Sequence, residues 1–235
     1  MNKPKSIFCL SGNMLKLIAL VSMTVDHIGY FLMPTNMTLR IIGRLAFPIF
    51  AYMIAEGCRY TRNKARHIIT MSIFALVSQI VFSMATKTLY LNIFVTFALS
   101  ISLIFAYDYL TKKKTPVSFI IFLLVVLSVI FISEGLALIL PKSLGYYVDY
   151  GTIGILCPFL VYIGFNRPTK LALCALGLIF LSLTGVYIQW FCLLALIPLA
   201  LYSGKRGKIN MKYLFYLYYP LHIGVIYLIL VLLRR

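Results

Sequence analysis

Nine apolar runs of near bilayer-spanning length constrain the fold of this 235-residue chain more than any other feature. A helix needs about 17 to 25 mostly apolar residues to cross the hydrocarbon core of a membrane. The runs cover residues 14–33, 40–58, 67–86, 89–108, 116–140, 149–166, 170–187, 188–203 and 213–233. Only short polar segments separate them. The sequence therefore predicts an all-α fold, a polytopic membrane helix bundle of about nine transmembrane helices, as a single domain over residues 1–235.

Composition supports a membrane protein and excludes two classes of ligand. Charged residues make up only 11% of the chain, yet the formal net charge is +17. An excess of this size can indicate nucleic-acid binding, but the cations lie in short clusters between apolar runs, where they meet lipid headgroups. We expect the lipid bilayer as a partner and no nucleic acid. The five cysteines form no CxxC motif, so the sequence predicts no metal site.

The cation clusters also predict the orientation, because cytoplasmic loops carry an excess of Lys and Arg. Alternate loops hold fifteen of the 22 cations, and the opposite loops hold five. The larger set comprises Lys3, Lys5, Arg59, Arg62, Lys64, Arg66, Lys112, Lys113, Lys114, Arg167, Lys170, Lys205, Arg206, Lys208 and Lys212. The smaller set comprises Arg40, Lys87, Lys142, Arg234 and Arg235. The N-terminus is therefore predicted to be cytoplasmic and the C-terminus to lie outside.

A few ionisable residues fall within the predicted helices, where such groups usually face a bundle interior or a water-filled cavity. They are Asp26, His27, Arg44, Glu134 and His222, with Glu56 near a helix end. Asp26 and Arg44 differ in depth by roughly 4–5 Å at 1.5 Å per residue, a distance that an arginine side chain can span. We expect these two residues to form an ion pair. The pair can serve a function or simply hold two helices together.

The two intramembrane histidines are the candidates for proton transfer. An imidazole has an ordinary pKa near 6.5 and can take or give a proton near neutral pH. His27 points about 100° away from Asp26 on a helix, so we predict it to be a general base or nucleophile. A helix–helix hydrogen bond is the alternative, and both roles stay open for His222. We expect a polar cavity that contains both histidines and opens toward the cytoplasm.

Other polar features carry less information. Asn92 and Thr96 are one turn apart on the same helix face, and Asp149 falls at the outer end of the run 149–166. The tyrosines beside it are predicted to form part of an interfacial aromatic belt; they are Tyr146, Tyr147 and Tyr150. We find no internal repeat, which counts against a transporter built from two halves.

Six stretches in chain order carry a family resemblance. They read LKLIALVSMTVDHIGYFLMP, LRIIGRLAFPIFAYMIAEGCRYTRN, FALVSQIVFS, LNIFVTFAL, VDYGTIGIL and KYLFYLYYPLHI. Together they resemble the TraX family of polytopic membrane proteins. That family is named for conjugal transfer, and its founding member is linked to N-terminal acetylation of F-pilin. The resemblance implies location in the bacterial plasma (inner) membrane and a peptide, pilin-like or cell-envelope acceptor.

The chain is also distantly similar to the membrane acyltransferases that include heparan-glucosaminide N-acetyltransferase. In those enzymes a first-helix histidine precedes a helix with a Phe-Pro pattern and acts in acetyl transfer from acetyl-CoA. The corresponding residues here are His27 and the segment 47–57, FPIFAYMIAEG. The similarity implies an acetyl-CoA-dependent acyltransferase whose catalytic group contains His27, Asp26, Arg44 and His222.

Acetyl-CoA would need cations on the cytoplasmic side for its phosphates and a donor for the oxyanion. The candidates for binding it are Asn92, Arg59, Arg62, Arg66, Lys205 and Arg206. The cations among them are equally well explained as topology determinants. Two other functions stay open, a membrane transporter that uses the buried charges as an ion path and a structural subunit of a conjugation or secretion apparatus.

Overall fold

The computed structural model describes residues 9–207 and 212–233, and these are mostly helical, as predicted. The α-helices are α1 (Gly12–Phe31), α2 (Met37–Gly43), α3 (Ala46–Tyr60), α4 (Lys64–Thr86), α5 (Ile93–Lys113), α6 (Pro116–Ile130), α7 (Leu136–Ile139), α8 (Gly151–Ile163), α9 (Arg167–Thr184), α10 (Leu196–Ala200) and α11 (Lys212–Leu233). A π-helical turn, Phe131–Gly135, joins α6 to α7, and a 3₁₀-helix, Tyr187–Ala195, leads into α10. A shorter 3₁₀-helix is Lys142–Leu144. Two short strands, β1 (Tyr90–Leu91) and β2 (Tyr147–Val148), pair in parallel.

The described residues contain six helical segments long and apolar enough to cross a membrane. They are Gly12–Phe31, Met37–Tyr60, Lys64–Met84, Ile93–Lys113, Pro116–Ile139 and Arg167–Thr184. Three other apolar helical segments are shorter, namely Gly151–Ile163, Tyr187–Ala200 and Leu217–Leu233. A polytopic helical membrane protein is therefore indicated, although the count of nine transmembrane helices is not confirmed. One reason is that the run predicted from 149 begins its helix only at Gly151, after the left-handed residue Tyr150.

Polar caps divide the nearly continuous apolar sequence into separate helices. A side chain placed just before a helix can accept a hydrogen bond from a backbone N–H of the first turn. Six residues cap helices in this way, namely Ser11, Asn36, Asn63, Asn92, Thr115 and Asn166. Pro116 and Pro168 follow two of these caps within the first helical turn, where proline is well tolerated.

Successive helices reverse direction, so the bundle has two chemically distinct ends. We call one the basic end; it holds the chain reversals at 59–64, 108–116, 163–170 and 200–207. We call the other the strand end; it holds β1, β2 and the reversals at 31–37, 86–92, 139–151 and 184–187. Helix α3 runs between them and packs against α1, α5, α8 and the long 3₁₀-helix. The outer helices α4 and α6 expose apolar side chains, consistent with contact with lipid.

Candidate functional site

A large polar chamber of about 1210 Å³ lies at the strand end. Residues of α1, α2, α3, α4, α5, α9 and α11 line it, together with the long 3₁₀-helix, both strands and the loops beside them. Pro34, Lys87, Gly145 and Gly185 are exposed residues of this lining, so the chamber opens at the strand end.

The chamber thus opens at the end opposite the 59–66 cations, which the sequence predicts to be cytoplasmic. Of the two histidines expected in it, His27 lines it and His222 does not. Contacts between helix termini hold the basic end together. Lys64 pairs with Asp108 and Lys170 pairs with Glu56. The backbone of residues 205–206 also covers the start of α1, where it accepts hydrogen bonds from two N–H groups.

Asp26 is the centre of a three-residue charge cluster in the chamber wall. Its Oδ1 lies 2.7 Å from Arg44 Nη2, and its Oδ2 lies 2.7 Å from Arg40 Nη1. The predicted pair of Asp26 and Arg44 is thus confirmed. The sequence analysis missed Arg40, which it assigned to an outer loop. Arg40 could have been identified from its spacing of four residues from Arg44, since residues four apart are neighbours on a helix surface.

Two glycines allow this cluster to form. A Cβ atom at Gly43 would lie 2.2 Å from both Cβ and Oδ1 of Asp26, and one at Gly29 would lie 2.9 Å from Leu39 Cβ. Helices α1 and α2 therefore approach each other through positions that tolerate no side chain. The helix breaks between Gly43 and Ala46, and Pro48 sits in the first turn of α3, where its missing N–H costs no intrahelical hydrogen bond. The GRLAFPIF segment thus places Arg44 at a bend facing the chamber.

His27 and His222 are in direct contact. His27 Nδ1 lies 2.7 Å from His222 Nε2, and His222 Nδ1 lies 2.8 Å from the carbonyl oxygen of Tyr218. A carbonyl oxygen only accepts, so we assign the hydrogen of neutral His222 to Nδ1. His222 Nε2 is then an acceptor, which places the hydrogen of His27 on Nδ1. His27 Nε2 is left unprotonated, and His27 lines the chamber.

The contact between α1 and α11 fixes the orientation of the two imidazoles. The hydroxyl groups of Thr24 and Tyr218 lie 2.7 Å apart, one turn before each histidine along its helix. The Tyr219 ring packs edge-on against both imidazoles, with centroids 5.9 Å from His27 and 5.5 Å from His222. The pair is therefore held from two sides.

Arg44 has capacity for a further hydrogen bond. One N–H each goes to Arg40 O at 3.2 Å, Gln189 Oε1 at 3.2 Å and Asp26 Oδ1 at 2.7 Å. A guanidinium carries five N–H groups, and the remaining two have no partner in the described part of the chain. The side chain is 9% exposed, and Arg44 borders the chamber. Arg44 can therefore donate to an anion there.

Asn92 has no such capacity, although it also borders the chamber. Its amide nitrogen donates to Ala75 O at 3.0 Å and to Gln79 Oε1 at 2.9 Å, and its Oδ1 accepts from Phe94 N. Both amide hydrogens are used, and the residue is 1% exposed. These contacts make Asn92 the cap that joins α4 to α5, and they leave no amide hydrogen for a ligand.

A second carboxylate borders the chamber in the loop between β2 and α8. Asp149 Oδ1 accepts a hydrogen bond from the Tyr90 hydroxyl at 2.8 Å. Burial raises the pKa of this carboxyl to about 6, while the Tyr90 hydrogen bond and the charge of Arg44 oppose the rise. Of the three tyrosines predicted to belong to an aromatic belt, Tyr147 and Tyr150 line the chamber and Tyr146 does not. The chain folds inward at this loop because β2 pairs with β1.

A small apolar pocket of about 120 Å³ lies between the chamber and the basic end. Lys16 and His67 are its polar lining residues. Four residues line both the pocket and the chamber, so they form the wall between them; these are Met23, Phe50, Ile93 and Tyr219.

The five cations predicted to bind acetyl-CoA all lie at the basic end, and none lines either cavity. Arg59 donates to the carbonyl oxygens of Tyr162 and Gly164 and so supports the turn between α8 and α9. The others are exposed, namely Arg62, Arg66, Lys205 and Arg206. Within residues 9–207 and 212–233 no group of three or more His, Cys, Asp or Glu could hold a metal ion.

Comparison with known proteins identifies the family of this chain. The family described as "TraX protein" matches residues 11–230. "Uncharacterized protein RP591" of Rickettsia prowazekii is 29% identical over 193 residues, covering 80% of this chain and 68% of that protein. "Probable fimbrial assembly protein FimC, serogroup H1" of Dichelobacter nodosus is 23% identical over 247 residues, covering 92% and 94%. No solved structure matches. The family match includes the histidine pair, the charge cluster and Asp149, and this chain belongs to the TraX family.

Proposed function

We propose that this protein is a membrane acyltransferase that moves an acetyl group from acetyl-CoA to an amine or hydroxyl in the chamber. The observation that carries the proposal is the contact of His27 Nδ1 with His222, since it assigns an acceptor role to Nε2 of a histidine that lines the chamber. A base positioned in this way typically contributes about 10²- to 10⁴-fold to a reaction rate.

Each residue of the site has a defined role in this reaction. His27 Nε2 takes the proton of the acceptor as its nitrogen or oxygen bonds to the acetyl carbon. The two remaining N–H groups of Arg44 stabilise the oxyanion. The carbon–sulfur bond breaks, and the proton passes from His27 to the departing thiolate. His222 holds the imidazole of His27 in the reactive tautomer, and Asp26 holds Arg44. In a nucleophilic variant of the mechanism, Nε2 bonds to the acetyl carbon itself.

We propose that acetyl-CoA approaches from the basic end. When bound, it supplies the activated thioester. The apolar pocket lies on this path, and Lys16 and His67 would face the anionic part of the donor. Arg62 and Arg66 are exposed at the same end and would attract its phosphates. The excess of cations there also favours a cytoplasmic location for the basic end in a bacterial inner membrane.

The acceptor would enter the chamber from the strand end, which this orientation places outside the cytoplasm. The Dichelobacter relative is named as a probable fimbrial assembly protein. We therefore propose a pilin-like or other cell-envelope peptide as the acceptor. Its reacting group would enter through the wide mouth near Lys87 and Gly145.

The second candidate is a structural subunit of a conjugation or fimbrial assembly apparatus, and the name of the same relative favours it. Such a subunit would not need a chamber lined by His27, whose Nε2 can accept a proton, and by Arg44, which has N–H groups left to donate. The buried charges would then serve only to hold α1, α2 and α11 together.

The test is an incubation of purified protein in lipid vesicles with acetyl-CoA labelled in the acetyl group. The acyltransferase proposal predicts that label leaves the donor and appears on an acceptor peptide, on the protein or as acetate. If wild-type protein releases no label above protein-free vesicles, the subunit interpretation is preferred.

A further inference from the structure

Asp149 differs from the other acidic residues of this chain in its partners. Asp26, Glu56 and Asp108 each pair with a cation. Glu134 accepts hydrogen bonds from Thr152 and does not line the chamber. Asp149 has no cation within 4.0 Å among residues 9–207 and the described part of α11. It is therefore the one carboxylate in the described chamber wall that forms no ion pair, although the more distant Arg44 acts on it electrostatically.

The position of Asp149 is fixed by several separate contacts. Its backbone N–H donates to Leu91 O at 3.0 Å, and its carbonyl oxygen accepts from Thr96 Oγ1 at 2.7 Å. The Tyr90 hydroxyl and the backbone N–H of Tyr150 donate to the carboxylate. A carboxylate offers about four acceptor sites, so capacity for a donor ligand remains. The carboxylate is thus held rigidly at the chamber with unused acceptor positions.

Aromatic faces surround the same part of the chamber. The rings of Tyr90 and Tyr147 lie 5.7 Å apart, and the Tyr150 ring stacks on Phe47 with centroids 4.0 Å apart. All four rings line the chamber. Aromatic faces attract cations through their quadrupoles. A carboxylate without a cation beside several aromatic rings is an arrangement suited to an ammonium group, whereas a neutral hydroxyl gains little from it.

We propose that Asp149, with Tyr90, Tyr147 and Tyr150, binds the primary ammonium group of the acceptor and thereby selects amines over hydroxyls. The inference rests on the proposed acyltransferase for its chemistry. The ammonium group gives one proton to the Asp149 carboxylate, which leaves a neutral amine with a lone pair. That nitrogen forms the bond to the acetyl carbon, and its second proton goes to His27. Asp149 then returns its proton to water at the chamber mouth.

The test is a binding measurement, which does not require turnover. Three probes are compared by calorimetry with purified protein, namely alanyl-leucinamide, its N-acetyl derivative and lactoyl-leucinamide, in which a hydroxyl replaces the amine. Loss of a charged hydrogen bond typically costs about tenfold or more in affinity. We expect the free amine to bind at least ~10-fold more tightly than the other two probes. In Asp149→Asn, which preserves an acceptor for Tyr90, that preference should disappear.

The control is Glu134→Gln, which changes a carboxylate outside the chamber and should keep the wild-type preference. Tyr147→Leu gives a second test if Asp149→Asn does not fold, because it removes one ring of the site; we expect a ~3-fold weaker preference. Equal binding of the three probes to wild-type protein, or an unchanged preference in Asp149→Asn, would overturn this inference.

Acetate release from labelled acetyl-CoA without acceptor separates the two proposals, because it does not need Asp149. Acetate release without any amine preference would remove the amine site and retain the acyltransferase. An amine preference without release of label would retain the site and remove the acyltransferase.

Discussion

The two ends of this bundle hold their charges in different ways. At the basic end, ion pairs such as Lys64–Asp108 and Lys170–Glu56 join helix termini, and most other cations there face outward. At the strand end there are few charges, but Asp26, Arg44 and Asp149 all border one chamber. The clusters of charge in the sequence thus indicate orientation. The charges that border the chamber come instead from a few residues inside the apolar runs.

The largest expected difference between the ends is in stability. Asp26→Ala leaves Arg40 and Arg44 without their carboxylate, and breaking a buried pair typically costs about 3–5 kcal/mol. Asp108→Ala removes the carboxylate partner of Lys64, whose side chain is 37% exposed, and the acceptor of the Tyr162 hydroxyl. A partly exposed pair and a neutral hydrogen bond each contribute about 1 kcal/mol or less. We expect poor recovery of folded Asp26→Ala and a smaller loss for Asp108→Ala by size-exclusion chromatography of detergent extracts. Similar losses for both variants would contradict the distinction.

Gly43→Ala tests the same cluster by steric pressure. Its Cβ would lie 2.2 Å from Cβ and Oδ1 of Asp26, whose carboxylate pairs with two arginines, so α1 and α2 must separate. Overpacking of this kind typically costs about 1–3 kcal/mol. Gly224→Ala is the matched control, since no atom lies within 4 Å of its added Cβ. Thermal unfolding in detergent should show a lower Tm for Gly43→Ala only; equal Tm values would show that the helices adjust freely.

His222 should affect the reaction more than the fold. His222→Ala removes the acceptor for His27 Nδ1, and we expect a ~10-fold or larger loss of acetyl transfer. His222→Gln offers an amide oxygen as a replacement acceptor and should recover part of the rate. A structural role alone predicts that rate follows the amount of folded protein in both variants. The ratio of rate to folded protein therefore decides between the two roles.

The smallest effect is expected at the exposed cations of the basic end. Charge reversal in Arg62→Glu with Arg66→Glu should raise the KM for acetyl-CoA a few-fold, more strongly at low salt, because steering by surface charge is screened by ions. The kcat and the Tm should stay unchanged. Lys112→Glu with Lys113→Glu is the control for general surface charge. Equal effects of the two double variants would leave Arg62 and Arg66 as topology determinants only.

The sequence predicts the helical fold and the pairing of Asp26 with Arg44, because hydropathy sets the helices and helix rise sets residue depth. It does not predict the chamber mouth, which depends on how helix ends pack. The contact of His27 with His222 requires a particular rotation of α11, which the bond between Thr24 and Tyr218 fixes. Asp149 reaches the chamber only through the β1–β2 pairing, a long-range contact with no periodic signal.

The most direct test of the central claim compares wild-type protein with His27→Ala in the labelled acetyl-CoA assay. The substitution keeps a good helix former in α1 and breaks no ion pair, so the variant should fold normally. We predict that acetyl transfer per folded molecule falls by at least ~10²-fold, because the base is lost while Arg44 and the chamber remain. A well-folded His27→Ala protein that transfers acetyl at the wild-type rate would contradict the account and leave His27 as a packing residue.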